Sequence, residues 1–129
     1  MRKSIVLVVI FLTLVAATAA QASTNAWVWA DSPSVASYTP NGSYAYNPTG
    51  GATSITRSSI GVYSVRFSNL VSIAGTGGNV QVTPYGVGTS NCRVLSWNTS
   101  ASDLIINVGC YTTAGAPVDS MYTVLYTFN

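Results

Sequence analysis

Six aromatic side chains offer the plainest chemistry in this sequence. Trp27 and Trp29 stand two residues apart, Tyr38, Tyr44 and Tyr46 crowd the stretch YTPNGSYAYNPTGG, which carries no charge at neutral pH, and Trp97 lies farther on. Sugars are held by stacking their C–H faces on exposed rings while amides, hydroxyls and an aspartate take the hydroxyl groups. Trp27, Trp29, Tyr38, Tyr44, Tyr46 and Trp97 are therefore candidate ligand-binding residues. The competing reading is that tryptophan and tyrosine are strong strand formers whose rings fill a small core and leave the polar tip wet. For Tyr63, Tyr122 and Tyr126 that second reading prevails. For residues 38–51 both readings stay open, because Tyr44 and Tyr46 share a face but are hemmed in by turn residues of the kind found at surfaces.

Catalytic chemistry is poorly supplied. The chain has no histidine and no glutamate, and its one lysine is Lys3. A serine nucleophile needs a base, and the serines here lie in no G-x-S-x-G elbow. A glycosidase needs two carboxylates flanking its bond, whereas only Asp31, Asp103 and Asp119 exist, and Asp103 falls beside an expected hairpin loop. The sequence points away from an enzyme. It likewise points to no metal or cofactor, since zinc calls for cysteine and histidine clusters and a calcium site for several oxygen ligands. Asp31 and Asp119 read as turn residues.

The start of the chain reads as a secretory leader. Arg2 and Lys3 precede an apolar run from Ile5 to Ala17, and Ala20-Gln21-Ala22 offers a small-x-small cleavage site. The run is well short of the roughly 20 residues that cross a bilayer. A signal peptide at 1–22 is thus expected, leaving 23–129 as a single secreted domain outside the cell or in a periplasm. The formal charge of +2 then disappears with Arg2 and Lys3, because Arg57, Arg66 and Arg93 balance the three aspartates. No charge run remains to attract nucleic acid.

Cys92 and Cys110 would meet an oxidising compartment, where such a pair joins. A bond between them closes a loop of about 18 residues and contributes on the order of 3 kcal/mol. A redox or metal pair would want the closer C-x-x-C spacing.

Period-two alternation supplies the elements. GVYSVRF places Tyr63, Val65 and Phe67 on one face, and MYTVLYTF keeps Tyr122, Val124, Tyr126 and Phe128 in step. NVQVTPY alternates until Pro84, which marks an edge or bulge. CRVLSW and LIINVGC, separated by residues 98–103, read as a hairpin with Cys92 opposite Cys110 and Val94 opposite Val108. AWVWA, SYAYN and SITRS are less regular, with turn signals between them at Ser32-Pro33, Pro40-Asn41-Gly42, Asn47-Pro48 and Gly50-Gly51. The sum is an all-β domain, an antiparallel β-sandwich or jelly roll of about eight strands with one internal disulfide. The antibody-type template matches weakly, because its bridge joins the two sheets rather than neighbouring strands. Two sequons, at Asn41 and Asn98, fall in expected loops.

WVWADSP, GVYSVRF, GNVQVTPYG, CRVLSW, GC and GAPVDSMYTVLYT, in that order, resemble a class of small bacterial exported β-domains. The resemblance implies secretion and a β fold, and carries no catalytic or ligand residue with it.

The expected function is a non-enzymatic binding or adhesion module whose partner is a glycan or a cell-surface protein. The alternative is a structural subunit that self-associates edge to edge in a coat or fibre, since the alternating last strand resembles that of pilus subunits and few charges guard the edges.

Overall fold

The computed structural model describes residues 24–75 and 77–129. The expected leader at 1–22 lies outside the described residues. Among the described residues nine strands form, in chain order β1 (Thr24–Ala30), β2 (Ser37–Tyr38), β3 (Ala45–Tyr46), β4 (Thr53–Ser59), β5 (Val62–Phe67), β6 (Asn79–Pro84), β7 (Asn91–Ser100), β8 (Asp103–Tyr111) and β9 (Tyr122–Phe128). They make two antiparallel sheets, one ordered β3-β1-β9-β6 and the other β2-β4-β5-β8-β7. The all-β expectation holds, with β2 and β3 reduced to two residues each.

The alternation read from the sequence is the alternation of the sandwich. Ala26, Val28 and Ala30 of β1 and Tyr122, Val124, Tyr126 and Phe128 of β9 face inward from the first sheet. Ile55, Tyr63, Val65, Phe67, Leu104, Ile106 and Val108 meet them from the second. Burial of this inner layer is what holds the sheets together, at roughly 1.5–3 kcal/mol for each large apolar side chain removed from water. The small alanines of β1 let the large rings of β9 fill the space between the sheets.

Cys92 and Cys110 are bonded and lie directly opposite each other on β7 and β8, as do Val94 and Val108. The bridge therefore joins neighbours within one sheet. The hairpin is tighter than the sequence suggests: β7 runs on to Ser100, and only Ala101 and Ser102 turn the chain. Asn98 consequently sits in a strand rather than in a loop. Pro84 ends β6 at the outer edge of its sheet, where its missing N–H costs no ladder bond.

Two short helical turns lie outside the strand pattern. Gly42–Tyr44 form a turn of 3-10 helix, capped where the Asn41 side chain accepts the Ser43 N–H at 2.9 Å. Val71–Ala74 form one α-helical turn, α1, between β5 and β6.

Candidate aromatic binding face

Because alternate residues of a strand face opposite ways, burying Ala26, Val28 and Ala30 sends Trp27 and Trp29 out to solvent on the back of the first sheet. Strand β3 pairs Tyr46 with Trp27, so those two rings sit side by side, nearly parallel at 27° with centroids 6.5 Å apart. Trp27 and Trp29 follow at 6.3 Å. The 3-10 turn brings Tyr44 onto Trp29, with centroids 5.6 Å apart and planes 18° from parallel. Trp29, Tyr44 and Tyr46 remain 47%, 38% and 48% exposed, which places them on the surface and not in the core. The aromatic half of residues 38–51 is thus a face, built jointly by β1, β3 and the turn between β2 and β3.

Tyr85 completes the cluster. It continues the outward set of β6, after Gln81 and Thr83, and its N–H still bonds the Met121 carbonyl, so the ladder survives one residue past Pro84. Its ring stands 6.3 Å from that of Trp29. Tyr85 is hard to recognise in the sequence because Pro84 looks like the end of the pattern, although the alternation Gln81, Thr83, Tyr85 is a signal for it.

The rest of the same face is uncharged and, apart from Leu125, polar. Register places Leu125 beside Trp27 and Gln81 beyond it, and Thr123 beside Trp29 with Thr83 beyond. An aromatic half thus adjoins a strip of amide and hydroxyl groups. At the end of β1 the exposed carboxylate of Asp31 approaches Tyr85. Partial burial raises the Tyr85 hydroxyl above its ordinary pKa, and the negative charge of Asp31 adds to that. Past Tyr85 a cavity of about 330 Å³ opens, bounded by Pro33, Ser90, Ser120 and Met121 among others.

Two of the six candidate residues stand apart from this face. Tyr38 belongs to the other sheet, where it is half-buried and its hydroxyl accepts the Ser32 N–H at 3.2 Å. Burial raises its pKa and that backbone bond opposes the rise. Trp97 lies on the edge strand β7, opposite the inward-facing Ile106, and is 45% exposed where the edge overhangs the core.

Two of the three aspartates serve structure, and one of them, Asp119, also borders the cavity past Tyr85. Asp119 accepts Arg57 through Nε at 2.9 Å and Nη2 at 2.8 Å, the Gly61 N–H at 2.9 Å and the Tyr63 hydroxyl at 3.1 Å. Arg57 chiefly holds the Asp119 carboxyl below its ordinary range. Asp103 accepts the Asn69 N–H at 2.9 Å and pairs with Arg66, and both lower its pKa, the backbone bond most. The arginine partners, distant along the chain, are not legible in the sequence. Among the described residues no group of three histidine, cysteine, aspartate or glutamate side chains could hold a metal ion. No family model, curated protein or solved structure matches the chain.

Proposed function

We propose that this protein is a non-enzymatic binding module for a neutral glycan, and that the outward face carrying Trp27, Trp29, Tyr44, Tyr46 and Tyr85 is its binding surface. The observation that carries the reading is the continuity of the aromatic cluster. Four of the six candidate rings, drawn from separate segments, meet in one solvent-facing row beside Thr123, Thr83 and Gln81. Exposed apolar clusters of this kind mark interaction sites on proteins. Rings supply the stacking surface for the C–H faces of a sugar, while the hydroxyls, the amide and Asp31 supply partners for its hydroxyl groups. Among the described residues the face has no cation, which favours a neutral ligand over an acidic one. A disulfide, and the lack among the described residues of any helix long and apolar enough to cross a membrane, are compatible with a place outside the cell.

A glycan array probed with the purified protein tests this. Retention of at least one neutral oligosaccharide, lost in Trp29→Ala with unchanged circular dichroism, is the expected result. An array without signal would count against the reading.

A second reading, self-association through strand edges, is favoured by β7. Its outer half carries exposed Leu95 and Trp97 and no charge from Val94 to Ser100. Strand β9 is closed to such pairing, because β1 and β6 occupy both its sides. Light scattering behind size-exclusion chromatography separates the readings: a monomer across a concentration series fits the module, and a ladder of oligomers fits edge pairing.

A further inference from the structure

Among the described residues Arg93 is the arginine that the ion pairs leave over. Arg57 is taken by Asp119 and Arg66 by Asp103, while no carboxylate among the described residues pairs with Arg93. Instead its guanidinium sits 4.7 Å above the centre of the Tyr111 ring. This happens on the outer face of the five-stranded sheet, on the opposite side of the molecule from Trp27 and Trp29. The reason is Gly109, which lies directly across from Arg93. A Cβ at Gly109 would run into the Tyr111 ring and the end of Leu95, so the missing side chain lets the ring lie down across β8. Backbone, tyrosine ring and guanidinium are then stacked in layers.

That contact holds the guanidinium against the ring, which shields it on one side. Arg93 and Tyr111 line a cavity of about 310 Å³ whose wall also includes Asn91, Thr112 and Thr113. Asn91 lies two residues before Arg93 on the same face of β7, directly opposite Tyr111, so its amide serves the same space.

We propose that this cavity is a second binding site, independent of the aromatic face, and that it takes a carboxylate. A planar carboxylate matches the planar fork of an arginine held in one orientation. No second cation lines the cavity, so a single negative charge is balanced and a dianion such as sulfate is not. The carboxylate belongs either to a sugar acid or to a peptide terminus, and the chemistry of the contact is shared.

The test uses the arginine Nε–H resonances of ¹⁵N-labelled protein, titrated at constant ionic strength with glucuronate, N-acetylglycine, sulfate and glucose. The Arg93 signal shifts and saturates with a carboxylate, while those of Arg57 and Arg66 stay in place. Tighter binding of glucuronate marks a sugar acid as the source; tighter binding of N-acetylglycine marks a peptide terminus. Arg93→Gln weakens binding roughly tenfold or more, and Tyr111→Leu, which keeps the charge but removes the ring beneath it, weakens it about threefold. Both substitutions are at exposed or half-exposed positions, and spectral dispersion reports whether the fold survives. A linear shift shared by Arg57, Arg66 and Arg93, an equal response to sulfate, or full affinity in both variants would overturn the proposal.

Discussion

Trp29 and Tyr44 lie nearly parallel, 18° apart in plane with centroids 5.6 Å apart, though one stands on a strand and the other on a 3-10 turn. The contact joins the turn to the sheet. A double-mutant cycle of Trp29→Ala and Tyr44→Ala should give a coupling energy of about 0.5–1.5 kcal/mol by urea denaturation. Purely additive effects would show that the two rings stand side by side without holding each other.

Asp119 ties the turn between β4 and β5 to the segment before β9. Asp119→Ala strands the Arg57 guanidinium, the Gly61 N–H and the Tyr63 hydroxyl at once. The expected loss is about 3 kcal/mol of unfolding free energy. Asp103→Asn should cost clearly less, because its partner Arg66 is half exposed and water can replace the aspartate. The midpoints of two denaturation curves rank the pair, and the reverse order would contradict the assignment.

Stability should fall at both ends of the pH scale. Asp119, chiefly through Arg57, and Asp103, chiefly through the Asn69 N–H, have carboxyl groups held below their ordinary 3.8 in the fold. A depressed native value gives stability that is complete above the unfolded value and is lost as pH falls through the native one. At the alkaline end, burial pushes the Tyr63 hydroxyl up to about 12 from 10.0. An elevated native value gives stability complete below 10.0 and lost as pH rises toward 12. Melting temperature against pH should therefore stay level between about 5 and 9 and drop on either side. A level curve down to about pH 2 would mean that neither aspartate is paired in solution.

The Tyr122 hydroxyl is buried and has no hydrogen-bond partner among the described residues. Burial accordingly lifts its pKa far above the ordinary tyrosine value. Tyr122→Phe keeps the ring packed against Tyr63, whose centroid is 5.0 Å away, and removes only the orphaned group. The variant should be as stable as the parent or more stable by up to about 2 kcal/mol. A clear loss on calorimetry would show that the hydroxyl has a partner after all.

What the sequence reveals and what it conceals divide along one physical line. Tyr63, Val65 and Phe67, or Tyr122 through Phe128, betray their burial because period two is a local property of a strand with one wet face. The Cys92–Cys110 pairing is legible for the same reason, since a hairpin sets its own register. The face itself needs contacts between segments that no local pattern reports: Tyr46 reaches Trp27 only through β3–β1 pairing, and Tyr44 reaches Trp29 only through a helical turn. Tyr38 looks equivalent to Tyr44 in composition, yet β2 joins the other sheet and takes it away. Trp97 resembles Trp29 in its setting, but β7 is an edge strand of that other sheet.

The most direct measurement follows the three tryptophan indole N–H signals of ¹⁵N-labelled protein during titration with the neutral oligosaccharide retained on the array. The signals of Trp27 and Trp29 should shift together and saturate at one dissociation constant while that of Trp97 stays in place. A shift confined to Trp97, or saturable binding that leaves both Trp27 and Trp29 unmoved, would contradict the assignment of this face as the binding surface.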